Sequence, residues 1–145
     1  MALFNIFNIA GSGMSAESVR LNTVASNLAN ADSVSSSAAT AYKARYPVFQ
    51  ALQASLMSPG AADPATRGAD AAVQVSGIVQ TTAPGTPHYE PGNPLADANG
   101  YVYSSNVNVV EQMADMISAS RSYQNNVEVL ETSKQLMLDT LKLGS

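Results

Sequence analysis

Apolar side chains recur along both ends of the chain with one period. Near the start, Leu3, Phe7, Ala10, Met14, Glu17, Leu21, Val24, Leu28 and Ala31 are spaced alternately by four and three residues, and only Glu17 among them is not apolar. That is the seam of a coiled coil, and it predicts a helix over residues 2–31. Near the end the same rule selects Val109, Met113, Met116, Ser120, Tyr123, Val127, Leu130, Lys134, Met137 and Leu141, predicting a second helix from Asn108 to Leu143. Most of the charges off this second seam lie opposite it, and Gly144 reads as its stop signal. Two seams in one chain invite pairing. An antiparallel match sets Met14 against Met137, Leu21 against Leu130, Val24 against Val127 and Leu28 against Tyr123. It also sets Ala10 against Leu141, Ala31 against Ser120, and the two charged seam residues, Glu17 and Lys134, against each other. A paired charge can fix register where a lone one is costly. Packing of both helices on neighbouring chains is the competing reading.

Between the helices the pattern changes. All seven prolines lie from Pro47 to Pro94. Ser33 to Ala41 is Ser/Ala-rich and reads as a loop or linker. Tyr42-Lys43-Ala44-Arg45 reads as a strand start or a contact with a neighbour. Val73 to Val79 reads as a strand with Gly77 a candidate bulge, and Asn99-Gly100 as a turn leading into a strand at Tyr101–Tyr103. Pro84 to Pro94 carries four prolines and is expected to be extended and stiff. The predicted class is mainly α: long N- and C-terminal helices pairing as an antiparallel coiled coil, with a small β or irregular middle. The divisions are 1–31, 32–107 and 108–145.

Composition sharpens this. Charged residues are 12% of the 145, against ~25% in an average soluble chain. The face Asn22, Thr23, Ser26, Asn27, Asn30 is polar but uncharged, which suits a surface that touches protein. A net charge of −4 with no basic cluster argues against nucleic acid as a partner. There is no cysteine, and one histidine, His88, cannot build a His-rich metal site, so no cofactor or metal is expected. The longest apolar stretch, Leu3 to Ala10, is interrupted by Asn5 and Asn8 and is far short of the ~20 residues a membrane span needs. It also lacks the basic start of a secretory signal. Gly11-Ser12-Gly13 is read as helix packing rather than a phosphate loop, because no strand precedes it and no Lys-Ser/Thr closes it. Asn30 is read as a helix C-cap through a left-handed conformation, and Asn27 as an amide that locks subunits together. Arg121 and Tyr123 are candidate contact hot spots. Met113, Met116 and Met137 are read as adaptable seam fillers.

These residues carry a resemblance. Ser26-Asn27-Leu28-Ala29-Asn30 at the end of an amphipathic N-terminal helix resembles the signature of bacterial flagellar axial proteins. Tyr89-Glu90-Pro91-Gly92-Asn93-Pro94-Leu95-Ala96-Asp97 with Gly100-Tyr101-Val102 is similar to proximal members of the flagellar basal-body rod family. So is Ser118 to Gln124 with Asn126 to Leu130, and Leu136-Met137-Leu138 with Thr140-Leu141 closes the match. Ser105 departs from the Pro common there, and Ser33 to Ala41 lacks the usual Gly and Pro. The resemblance implies a self-assembling structural subunit of a hollow helical shaft that transmits torque and surrounds an export channel. It implies copies of itself and other rod proteins as partners. It also implies passage through the flagellar type III export apparatus without a cleaved signal, no membrane insertion, and a place in the periplasm-spanning rod. The expected contact residues are Met14, Glu17, Leu21, Val24, Asn27, Leu28, Asn30, Met113, Met116, Arg121, Tyr123, Val127, Leu130, Lys134, Met137 and Leu141. The alternative within the same class is a distal rod or hook-junction subunit, although those are longer. An enzyme, such as a peptidoglycan hydrolase, would need paired carboxylates in a cleft. Asp63, Asp70, Glu90 and Asp97 are scattered among Pro and Gly instead, so none is expected.

Overall fold

The structure, a computed structural model, describes residues 2–53 and 71–143. Helix α1 spans Ala2–Ala29 and helix α2 spans Val109–Leu143, and the described residues between them form five strands: β1 Val34–Ser35, β2 Arg45–Gln53, β3 Ala71–Gln80, β4 Pro87–Tyr89 and β5 Tyr101–Ser104. The terminal helices fall where the hydrophobic repeat places them. Local chemistry explains their inner ends. The Asn108 side-chain oxygen accepts the backbone N–H groups of Val110 (3.1 Å) and Glu111 (3.4 Å), satisfying first-turn donors that have no partner inside the helix. Helix α1 closes with Asn30, whose amide donates to the Ser26 carbonyl at 2.8 Å. The cap is therefore made by the side chain. No non-glycine residue among those described has positive φ, so the left-handed cap expected of Asn30 is not the one used. Gly144 lies outside the described residues.

The described part of the middle holds more regular structure than its sequence suggests. Ser33 to Ala41, expected as a loop, contributes β1, which pairs antiparallel with β5 (Val34 opposite Ser104, Ser35 opposite Tyr103) before turning at Ser37–Ala41. Strand β4 lies on the other side of β5, with Pro87 opposite Tyr103 and Tyr89 opposite Tyr101, giving the order β1-β5-β4. Proline is tolerated in β4 because it is an edge strand. Pro84 to Pro94 is thus extended only as far as Tyr89. Beyond it, Asn93 N–H bonds to the Glu90 carbonyl and Ala96 N–H to the Asn93 carbonyl, folding the chain into successive turns. Strands β2 and β3 form a separate two-stranded sheet. Strand β3 contains the expected Val73–Val79, and β2 begins at Arg45, the last residue of the Tyr42–Arg45 stretch read as a strand start or a contact with a neighbour.

Two compact units divide the chain. The first comprises Met1–Val19, Val48–Gly77 and Ala119–Ser145; the second comprises Arg20–Pro47 and Ile78–Ser118. In the first, Ala10, Ala16, Ala119 and Ser133 are buried, all of them small. The Ser12 hydroxyl accepts the Val73 N–H at 3.1 Å, and a Cβ added to Gly13 would come within 2.8 Å of the Asn126 amide. In the second, Val102 on the central strand of the three-stranded sheet is fully buried, and Val24, Ala41 and Ala44 of the same unit are also buried.

Within each unit the helices meet in a register other than the expected one. Pairing Glu17 with Lys134 would set Asn27 against Gln124, Arg20 against Glu131 and Gly13 against Leu138. Instead Asn27 bonds Gln112, Arg20 pairs with Asp115, and Gly13 lies against Asn126. The offset is about twelve or more residues, over three turns at ~1.5 Å per residue. Glu17 and Lys134 therefore do not face each other. The physical reason lies in the sheet. The β1–β5 ladder fixes Val34 opposite Ser104, and Ser105 continues it by donating its N–H to the Ser33 carbonyl and its hydroxyl to the Ala31 carbonyl (3.1 and 2.6 Å). The chain that leaves α1 into β1 returns from β5 into α2 in one antiparallel count, which leads to Asn27 opposite Gln112. A match of apolar residues alone could not see this constraint.

Candidate assembly interface

The second unit is organised around one polar side chain. Asn27 is fully buried. Its amide nitrogen donates to the Gln112 side-chain oxygen and to the Arg45 carbonyl, both at 2.8 Å. Its oxygen accepts the Tyr42 hydroxyl and the Arg45 N–H, both at 3.0 Å. An Asn side chain has two donors and two acceptor positions, and all are taken inside the chain. Asn27 was expected to bond between subunits; saturation within its own fold leaves it nothing to offer a neighbour. Tyr42 is held in turn by the Arg45 guanidinium, 5.5 Å from its ring centre. Close by, Arg20 meets Asp115 at 2.8 Å, both partly exposed. Tyr46 sits where burial pushes its hydroxyl pKa above the ordinary tyrosine value. Glu111 and Asp115 push the same way, and the Gln112 amide pulls back.

A second polar bridge ties the loops together. The Asn106 oxygen accepts the buried Ala44 N–H at 2.8 Å, and its nitrogen donates to the Ala83 carbonyl at 2.7 Å. The loop between β4 and β5 is built on Asp97, whose carboxylate accepts the N–H groups of Asn99 (2.8 Å) and Tyr101 (2.9 Å). These bonds, Tyr101 first, hold the Asp97 pKa below the ordinary carboxylate value. Gly100 has φ +81°, and the Tyr89 and Tyr101 rings stack edge-on at 5.3 Å across the loop base.

The expected contact residues separate into two groups. Val24 is buried, and Met14, Glu17, Leu21, Leu28, Asn30, Met116, Tyr123, Val127, Leu130 and Met137 are half-buried. Met113, Arg121, Lys134 and Leu141 are exposed. On α2 the most buried positions are Gln112, Ala119 and Ser133, which alternate by four and three with Met116, Tyr123 and Leu130. They are polar or small, so an apolar count misses them. Gln112, Tyr42, Arg45 and Asn106 were not singled out as structural bonding partners. The usable signal was Gln112 itself, a neutral polar residue four positions before Met116 on the same helix face.

Large apolar side chains remain open to solvent on the other side of α2. Val110, Met113 and Ile117 recur at three and four residues and are 76%, 54% and 55% exposed. In the first unit a shallow groove of about 420 Å³ is lined by Ile6, Val129, Asn125, Glu128, Thr132 and Ser133. Among the described residues no cluster of His, Cys, Asp and Glu suits a metal, and no helix is long and apolar enough to cross a membrane.

Terminal helices joined through a small sheet, with unpartnered apolar stripes on the helix surface, define a subunit built to be packed against protein. Residues 7–35 match the family described as flagella basal body rod protein, and residues 98–143 match the family described as flagellar basal body rod FlgEFG protein C-terminal. The chain is 52% identical to the flagellar basal-body rod protein FlgC of Salmonella typhimurium and 55% identical to that of Escherichia coli O157:H7, over 99% of both chains in each case. FlgC of Buchnera aphidicola subsp. Acyrthosiphon pisum is 42% identical over the same share. The chain belongs to the FlgC family of flagellar basal-body rod proteins. Identity of 42–55% to FlgC over 99% of each chain favours this over the distal-rod or hook-junction alternative.

Proposed function

We propose that the chain works as a structural subunit of the proximal rod, assembling with copies of itself and other rod proteins into a hollow helical shaft. The observation that carries this is the exposed row Val110, Met113, Ile117 on α2. Three large apolar side chains in helical sequence are costly in water and gain on contact with protein. Low overall charge points the same way, as do the exposed α1 positions Asn8, Ser15, Ser18, Asn22 and Ala25, none of them charged. Contacts between unlike surfaces that do not close a ring generate an open helix, the geometry a shaft requires.

In this reading the terminal helices, 1–31 and 108–145, form a coiled-coil inner layer in the assembled shaft, and 32–107 faces outward to neighbours. Met113, Arg121, Lys134 and Leu141, exposed in the single chain, are subunit contacts; the half-buried seam residues hold the chain's own helices and border those contacts. The shaft transmits torque and surrounds the export channel. The chain reaches it through the flagellar type III apparatus without a cleaved signal and stands in the periplasm. It uses no cofactor and catalyses no reaction.

Ile117→Asp tests the reading. The residue is exposed, so the folded chain keeps its stability within ~0.5 kcal/mol. Cells carrying the variant in place of the wild type are expected to export the chain yet be non-motile, with basal bodies that lack a complete rod. Normal motility would remove this face from the interface.

A further inference from the structure

One dipeptide carries reactive chemistry that assembly does not use. Asn99 is followed by Gly100, and every other Asn of the chain precedes a residue with a Cβ. The backbone nitrogen after an Asn can attack its side-chain carbonyl carbon, and Gly, lacking a Cβ, obstructs that approach least. Here the Gly100 nitrogen would bond to Asn99 Cγ, the Cγ–NH2 bond would break, and ammonia would leave with the Gly100 amide proton. Water then opens the cyclic succinimide. Cleavage at Cγ gives aspartate. Cleavage at the backbone carbonyl carbon gives isoaspartate, whose main chain runs through the former side chain and is longer by a carbon. No oxidant or reductant is consumed.

Part of what this reaction needs is present. Asn99 is exposed, and its side chain makes no hydrogen bond among the described residues. The rest is withheld by the loop. The Gly100 N–H donates to the Asp97 carbonyl at 2.9 Å, closing a turn whose central residues, Ala98 and Asn99, both keep negative φ. The Asn99 and Tyr101 N–H groups on either side donate to one Asp97 carboxylate oxygen at 2.8 and 2.9 Å. The Gly100 carbonyl accepts the Glu90 N–H at 2.9 Å. The attacking nitrogen is therefore held through its own proton and through both neighbours. Its deprotonated form would also stand beside the Asp97 negative charge, which disfavours it. Space is short as well: a Cβ built on Gly100 would lie 2.9 Å from the Tyr89 ring and 3.3 Å from Pro91.

We propose that Asn99 is a latent deamidation site, closed by Asp97 in the folded loop and released when the loop opens. Isoaspartate at this position would add an atom to the main chain between the Asn99 and Tyr101 N–H groups. The Asp97 carboxylate would no longer bridge them, so the modified loop does not reclose.

The full, unassembled chain is incubated in mildly alkaline buffer with and without denaturing urea. Deamidation at Asn99 is read by peptide mass spectrometry, with electron-transfer fragmentation separating isoaspartate from aspartate. The reaction runs from the open loop, so the folded rate is the free rate multiplied by the fraction open and is expected to be at least ~10-fold slower than in urea. Asp97→Ala removes the carboxylate and is expected to raise the rate in the folded chain at least ~3-fold while leaving the rate in urea unchanged. Equal rates with and without urea would overturn the proposal. So would a folded Asp97→Ala chain that reacts as slowly as the parent. If circular dichroism shows Asp97→Ala unfolded in buffer, Asp97→Asn, which keeps an oxygen acceptor but no charge, is read on the same terms.

Discussion

Replacing Asn106 separates a buried bond from an exposed one within a single side chain. Its oxygen takes the N–H of Ala44, which is 1% exposed, and its nitrogen reaches the carbonyl of Ala83, which is exposed. Asn106→Leu loses both. The Ala83 carbonyl can turn to water, so that bond is worth about 1 kcal/mol. The Ala44 N–H cannot, and an orphaned buried donor costs about 1–3 kcal/mol. The total is about 2–4 kcal/mol. Asn106→Asp keeps the acceptor for Ala44 and gives up only the outer bond, so it is expected to cost about 1 kcal/mol. Urea unfolding of the full chain followed by far-ultraviolet circular dichroism measures both, the difference being read from the midpoints at unchanged slope. If Asn106→Asp is as damaging as Asn106→Leu, the buried Ala44 bond is not what the side chain contributes, and the assignment fails.

Other outcomes follow from the same geometry. A Cβ at Gly85 would fall on the Ser104 carbonyl oxygen and 3.3 Å from the Ala41 Cβ, so Gly85→Ala is expected to cost about 1–3 kcal/mol. Gly77 meets nothing within 4 Å, so Gly77→Ala stays within ~0.5 kcal/mol; equal urea midpoints for the two variants would contradict the packing. Asp97 is more acidic in the fold than in the open chain. Its stabilising contribution is therefore present above the ordinary carboxylate pKa and is lost as pH falls through the lowered folded value. Asp97→Asn is expected to flatten the acid limb of the midpoint-against-pH curve, and an unchanged limb would remove Asp97 from that role. Leu28→Asp and Tyr123→Asp alter half-buried helix positions and are expected to block assembly and hence motility; motile cells carrying either change would exclude that position from the contact.

Helix extents were legible because long amphipathic repeats carry their own signal: residues 2–31 and 108–143 were anticipated, and Ala2–Ala29 and Val109–Leu143 are found. Strands β3 and β5 were legible from β-branched and aromatic runs next to Gly. Strand β1 was not, because two residues of a Ser-rich stretch become a strand only by lying beside β5. Register was hidden for the same reason. It depends on Val34 meeting Ser104, a contact between residues far apart in sequence. The seam of α2 was half legible. Met116, Tyr123, Leu130 and Met137 lie on the inward face, whereas Gln112, Ala119 and Ser133 take the alternate places. Alanine and serine let backbones approach and glutamine supplies a bond, but none of these registers as hydrophobic. The saturation of Asn27 required Tyr42 and Arg45, which lie beyond the end of its helix, so the sequence motif around it could not reveal where its bonds go.

The account stands most directly on whether neighbours cover the outer row of α2 in the working state. Ile117→Cys places the chain's one thiol in that row. Its reaction with a small maleimide is then compared between the free chain and purified basal bodies. Rapid labelling of the free chain with near-complete protection in the basal body is the predicted result; equal labelling in both would show that the row faces solvent in the rod and that the helices are not packed as proposed.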